Sequence, residues 1–88
     1  MTQEQIYADI HNNLGNAYKA KGELMQAIAA YKKAIEHDPG HAMAHNNLAV
    51  SYYYAQDYDL AVEHCDKALK LGYPVHPEFL KLLEPYRK

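Results

Sequence analysis

Apolar residues return every three or four positions along this chain, in blocks separated by Gly, Pro and Asp. Ile6, Ile10, Leu14, Ala17 and Tyr18 make the first block, and that spacing is helical, because 3.6 residues complete a turn. Thr2 with Gln5 three residues on is a capping-box pair, so this helix is expected to begin near Thr2. Lys21-Gly22-Glu23 breaks it, with Gly22 available for a left-handed C-cap. Leu24, Ala27, Ile28, Tyr31, Ala34 and Ile35 predict a second helix, stopped by Asp38-Pro39-Gly40. A third is expected over about 42–55, followed by a turn at Gln56-Asp57. The fourth lies on Tyr58, Ala61, Val62, Cys65, Ala68 and Leu69, and Gly72-Tyr73-Pro74 ends it. His76-Pro77-Glu78 opens a fifth, with Pro77 at its first position and Glu78 favourable to the helix dipole. Phe79, Leu82, Leu83 and Tyr86 would form its apolar face. The pattern predicts five helices and no strand.

These helices come from a repeat. Shifting the chain by 34 residues lays Ala8, His11, Asn12, Asn13, Leu14 and Tyr18 over Ala42, His45, Asn46, Asn47, Leu48 and Tyr52. Ala27, Lys33 and Ala34 fall on Ala61, Lys67 and Ala68, and Gly15 on Ala49. The chain therefore divides, as one domain over 1–88, into an N-terminal helix extension (1–7), repeat 1 (8–41), repeat 2 (42–75) and a capping helix (76–88). Each repeat is a helix-turn-helix.

Composition narrows the function classes. The 88 residues are 49% hydrophobic, which argues against disorder, and no apolar run approaches the roughly 20 residues that span a bilayer. Met1-Thr2-Gln3-Glu4-Gln5 is not the start of a signal peptide. Nine Lys+Arg against eleven Asp+Glu leave no basic footprint for nucleic acid. The lone Cys65 rules out an internal disulfide and suits a reducing compartment. The expected setting is cytoplasmic, with neither nucleic acid nor membrane as a partner.

The repeat resembles the tetratricopeptide repeat (TPR), whose 34-residue signature sets a large residue, Leu-Gly, Tyr, Ala, an aromatic and Pro at fixed offsets. Repeat 1 supplies His11, Leu14-Gly15, Tyr18, Ala27, Tyr31 and Pro39; repeat 2 supplies His45, Leu48-Ala49, Tyr52, Ala61, Cys65 and Pro74. It departs where His replaces Trp, where Cys65 replaces an aromatic, and where Pro74 falls one residue late. A truncated third unit would place Phe79 at the Trp position, Leu82 at the Leu and Tyr86 at the Tyr, with Leu83 where Gly15 and Ala49 lie. A Leu there suits a capping helix with nothing packed behind it. The resemblance implies an all-α, right-handed helical-repeat solenoid whose first helices line a concave, peptide-binding surface.

On that frame the concave candidates are Asp9, Asn12, Asn16, Lys19 and Ala20 from the first unit, and Met43, Asn46, Asn47, Val50, Tyr53 and Tyr54 from the second, with Lys81 from the third. Tyr52 takes the core position, and since each residue turns about 100°, Tyr53 or Tyr54 must be partly exposed, either as a contact for a partner or laid over neighbouring helices. A subgroup of the family grips a chaperone's C-terminal carboxylate with a two-carboxylate clamp. The resemblance carries its two Asn positions onto Asn16 and Asn47 and its Arg position onto Lys81. Asn12 and Pro77 stand where the clamp has lysines, which implies a weakened site.

Six histidines invite a metal reading, but Pro39-Gly40 interrupts the His37/His41 pair and no set is completed by a carboxylate at suitable spacing. His11 and His45 are expected to be partly buried, so that charging them would loosen the packing. Cys65 has His64 about 100° away on its helix and Asp66 beside it, which fits a buried thiol better than a nucleophile. No phosphate loop, nucleophile elbow or HExxH motif appears. The expectation is a non-enzymatic adaptor or scaffold, without cofactor or metal, that holds a peptide or helix of another protein. Self-association as a homodimer, through Ile6 and Tyr7, is the alternative.

Overall fold

The computed structural model describes residues 1–87. Five α-helices follow one another: α1 (Gln3–Ala20), α2 (Leu24–His37), α3 (Ala42–Tyr54), α4 (Tyr58–Lys70) and α5 (Pro77–Leu83), closed by a 3₁₀ turn over Glu84–Tyr86. Among the described residues there is no strand, and no helix is long and apolar enough to cross a membrane.

Local chemistry accounts for the boundaries. Thr2 and Gln5 form the expected reciprocal capping box at α1. The α1–α2 turn places Gly22 at φ +79°, and the equivalent residue of the second repeat, Gln56, is held at φ +65° without glycine's freedom. Asp57 caps α4 by accepting from the Leu60 N–H. His41 caps α3 through Nδ1, which accepts the Ala44 N–H at 3.1 Å. That bond leaves the ring proton on Nε2, which donates to Asp9 of α1 at 2.7 Å. One imidazole therefore starts a helix and ties it to the previous repeat.

The core runs through both repeats as one cluster. Ile28 and Tyr31 of α2 meet Leu48, Ala49 and Tyr52 of α3, then Ala61, Cys65 and Ala68 of α4, then Val75 and Leu83. Burying a side chain such as Leu48 contributes about 2 kcal/mol. A second cluster buries three alanines, Ala8, Ala34 and Ala44, with Ile35 packed against them, where α1, α2 and α3 meet. Gly15 serves the same end: a methyl group there would lie 2.5 Å from the ring of the fully buried Tyr31.

The fifth helix departs from expectation in two ways. It stops at Leu83 instead of running through Tyr86, because Pro85 has no N–H to donate and its ring crowds the preceding turn. Its packing also departs at one position: Leu83 is fully buried, like Ala49 at the equivalent place in the second repeat, but Leu82 is 49% exposed where its counterpart Leu48 is completely buried. The connection from α4, Leu71 to His76, is longer than that from α2 to α3, Asp38 to His41, which frees α5 from the register. With no following helix to require a small residue at position 83, the larger side chain takes the core. Lys88, assigned to the capping segment, lies outside the described residues.

Candidate functional site

The face shared by α1 and α3 carries most of the predicted binding residues, and the structure sorts them. Asn12 is only 2% exposed. Its Nδ2 donates to Met43 Sδ at 3.5 Å, and its Oδ1 accepts from Asn47 Nδ2 at 2.9 Å. Asn47 Nδ2 also approaches Asn16 Oδ1 at 3.4 Å, and Asn16 accepts from the Tyr31 hydroxyl. Asn12, Asn16 and Asn47 are thus brought together, but as a ladder joining α1, α2 and α3 whose donors and acceptors largely satisfy one another. Asn12, expected to face a ligand, is closed off inside it. Asn46, Val50 and Asp9 are half-buried, Met43 is 46% exposed, and Asn16 and Ala20 are exposed.

The adjacent tyrosines part company. Tyr53 is half-buried and packs its ring edge-on against Tyr54, Tyr58 and Phe79 at 5.5–6.0 Å, which commits it to holding α3, α4 and α5 together. Tyr54 is 67% exposed. With Lys19, Gly22 and Leu24 it lines a cavity of about 290 Å³ where the α1–α2 turn meets the end of α3. Lys19 and Tyr54 were expected from the repeat frame, whereas Gly22 and Leu24 were assigned to a cap and to the apolar face of the second helix. Only the fold shows that the turn and the first residue of α2 roof this space. Lys81 is exposed on α5 and pairs with Glu78 one turn back at 3.9 Å, so the structure does not link it to the amide ladder.

Two histidines, His45 of α3 and His64 of α4, meet inside the fold. His45 Nε2 donates to the Pro39 carbonyl at 2.8 Å, which leaves its Nδ1 as an acceptor for the Nδ1–H of His64 at 3.0 Å. Burial, reinforced by the neighbouring His45 and Lys67, lowers the His64 pKa to about 4. His45 and His64 are buried as a stacked pair beneath Tyr52, while His11 is half-buried and stacks on His37. His37 meets Glu4 at 3.1 Å. Among the described residues no three metal-donor side chains converge. Cys65 is fully buried, and burial pushes its thiol above the ordinary value although Arg87 approaches at 4.0 Å. It is therefore held as an uncharged thiol.

Paired helices repeated in register, small residues at the crossings and an open face across the first helices define an α-helical repeat protein. The tetratricopeptide repeat family model matches residues 12–75, and the chain belongs to that family. It is 32% identical over 87 residues to the Hsp70-Hsp90 organising protein of Plasmodium falciparum (isolate 3D7), covering 99% of this chain and 15% of that protein. It is 38% identical over 79 residues to protein STIP1 homolog of Dictyostelium discoideum, covering 90% and 13%. Stress-induced-phosphoprotein 1 of Caenorhabditis elegans is 35% identical over 60 residues, or 68% and 19%. The chain thus spans less than a fifth of the length of each of these relatives.

Proposed function

We propose that this chain is a non-enzymatic interaction module that holds an extended peptide segment of another protein along α1 and α3. An apolar side chain of that segment enters the Lys19–Leu24–Tyr54 cavity and an acidic group lies at the Lys19 ammonium. The observation that supports this most directly is the cavity itself, built by residues of both repeats and walled by Leu24 and the exposed Tyr54. A concave apolar space with a single well-placed cation suits side-chain capture plus a charge-assisted contact. Asn16 and Met43 lie on the same two helices and extend the contact surface.

A narrower reading is a chaperone-tail clamp, drawn from the names of the relatives and from Asn16 and Asn47. Asn12, where the clamp has a lysine, is sealed by Met43, and Lys81 is engaged with Glu78. An acidic chaperone tail is accordingly expected to bind more weakly than a ligand fitted to the cavity.

The test is fluorescence anisotropy with labelled decapeptides carrying one central leucine between acidic residues, against a basic-flanked control. Micromolar binding of the acidic set, weakened at least about tenfold by Tyr54→Ala or Lys19→Ala with unchanged circular dichroism, is the expected outcome. Binding indifferent to both substitutions would overturn the assignment of this face.

A further inference from the structure

The outer face of α1 carries a ridge that the fold leaves uncovered. Ile6, Ile10 and Leu14 are 45%, 53% and 42% exposed, spaced four residues apart so that they stand in one row. The repeat shows what such positions do. Ile10 and Leu14 correspond to Ala44 and Leu48 of α3, which are completely buried because α2 of the preceding repeat lies over them. The face is therefore the continuation, at the N-terminal end, of the interface already formed between α2 and α3.

Its side chains do not match another repeat stacked at the same spacing. Where α3 packs the small Ala44 with Ala8 and Ala34, α1 has isoleucine, and where the chain has Gly40, α1 has Ile6. A helix seated as α2 is on α3 would collide with these branched side chains. A ridge of residues four apart fits best into the groove beside an identical ridge, which two copies related by a two-fold axis supply. Charge agrees with this. The acidic residues of α1 stay partly exposed but lie beside the ridge, not on it, each paired with a histidine further along the chain, Glu4 with His37 and Asp9 with His41, and the row from Gln3 through Ala17 that flanks the ridge is uncharged. Two copies meet there without opposing like charges.

We propose that the outer face of α1 is the contact through which this chain pairs with a second copy of itself, Ile10 packing beside Leu14 of an antiparallel partner helix. This surface is separate from the peptide-binding face, so a dimer would present two such faces. The ridge is one helix long, which puts the contact at the small end of specific interfaces, and the pairing is expected to be weak, with a Kd on the order of tens of micromolar.

Sedimentation equilibrium of the whole chain from about 5 µM to 1 mM reads this directly. A monomer–dimer equilibrium, with Ile10→Arg monomeric throughout and unchanged in circular dichroism, is the expected result. Concentration-dependent amide shifts in NMR spectra of the unaltered chain give an independent readout, expected along α1. A single monomeric mass up to 1 mM overturns the proposal. So does a dimer that survives Ile10→Arg, a mass that climbs past the dimer, or amide shifts centred on α5 or on Tyr54.

Discussion

The contact between α1 and α2 rests at one point on a missing methyl group, and restoring it is a stringent test of the packing. A Cβ built on Gly15 would lie 2.5, 2.6 and 2.9 Å from Cε1, Cδ1 and Cζ of Tyr31. Carbon atoms pack at about 3.5–4.0 Å, so the ring would have to retreat by about an ångström. Tyr31 has nowhere to go: it is fully buried, and its hydroxyl is engaged by Asn16. Overpacking costs about 1–3 kcal/mol, and contacts this short against a fully buried ring put Gly15→Ala in the upper part of that range, about 2–3 kcal/mol, against which alanine's better helix propensity returns about 1 kcal/mol. Gly15→Ala is therefore expected to destabilise the fold by about 1–2 kcal/mol, and for a chain this short the melting temperature should fall by roughly 5–15 °C. The second repeat supplies the control. There Ala49 takes the place of Gly15 and Cys65 the place of Tyr31, both fully buried, so the larger residue on one helix is matched by the smaller on the other. Urea unfolding of Gly15→Ala, Tyr31→Cys and the double variant should show a favourable coupling of about 1 kcal/mol or more. A Gly15→Ala variant that melts at or above the parent, or a strictly additive cycle, would refute the steric account.

Two further outcomes follow from single residues. His64 has a folded pKa of about 4 against an ordinary 6.5, so the unfolded chain binds the extra proton first as pH falls. Its contribution is complete above pH 6.5 and is lost as pH drops from about 6.5 to 4, up to about 3 kcal/mol in all. Urea midpoints measured across that window should fall more steeply for the parent than for His64→Gln; parallel profiles would show that His64 is not the titrating group. Gln56, at φ +65° where the first repeat has Gly22, bears a steric cost of about 1 kcal/mol. Gln56→Gly should raise the melting temperature by a few degrees, and a lowered one would mean that the Gln56 side chain contributes more than its backbone costs.

Most of the helix plan was legible because it rests on local chemistry repeated twice. Thr2 and Gln5, Gly22, Pro39 and Pro77 act within a few residues of themselves, and the same 34-residue spacing states the pattern a second time. The errors fall where no second statement exists. α5 has no partner unit to restate its pattern, and Pro85, whose effect is local, ends it at Leu83. The exposure of Leu82 was not legible, since it depends on how α5 is seated after the longer Leu71–His76 connection rather than on any residue within the helix. The site was half legible. Counting along the repeat found which residues lie on α1 and α3, but not which would spend their hydrogen bonds on one another. Asn12 and Asn16 belong to a consistent stripe, yet only one of them is buried, and that depends on where Met43 of the next repeat comes to rest.

That closure of the amides shapes what recognition on this face can be. A free asparagine row would read a peptide backbone by its donors and acceptors, giving grip with little regard for side chains. Here Asn12 and Asn47 already hold each other at 2.9 Å, and a ligand that broke this pair would have to replace a hydrogen bond before gaining one. Beside the exposed Asn16 amide, the groups left to act on a partner are Tyr54, Leu24, Met43 and the Lys19 ammonium. Three offer apolar or polarisable surface and one offers charge, so selectivity should come from the shape of one side chain and the sign of its neighbour. The ladder has a different task. By joining α1 to α3 it helps set the span between Lys19 on one repeat and Tyr54 on the other, two of the residues that line the cavity.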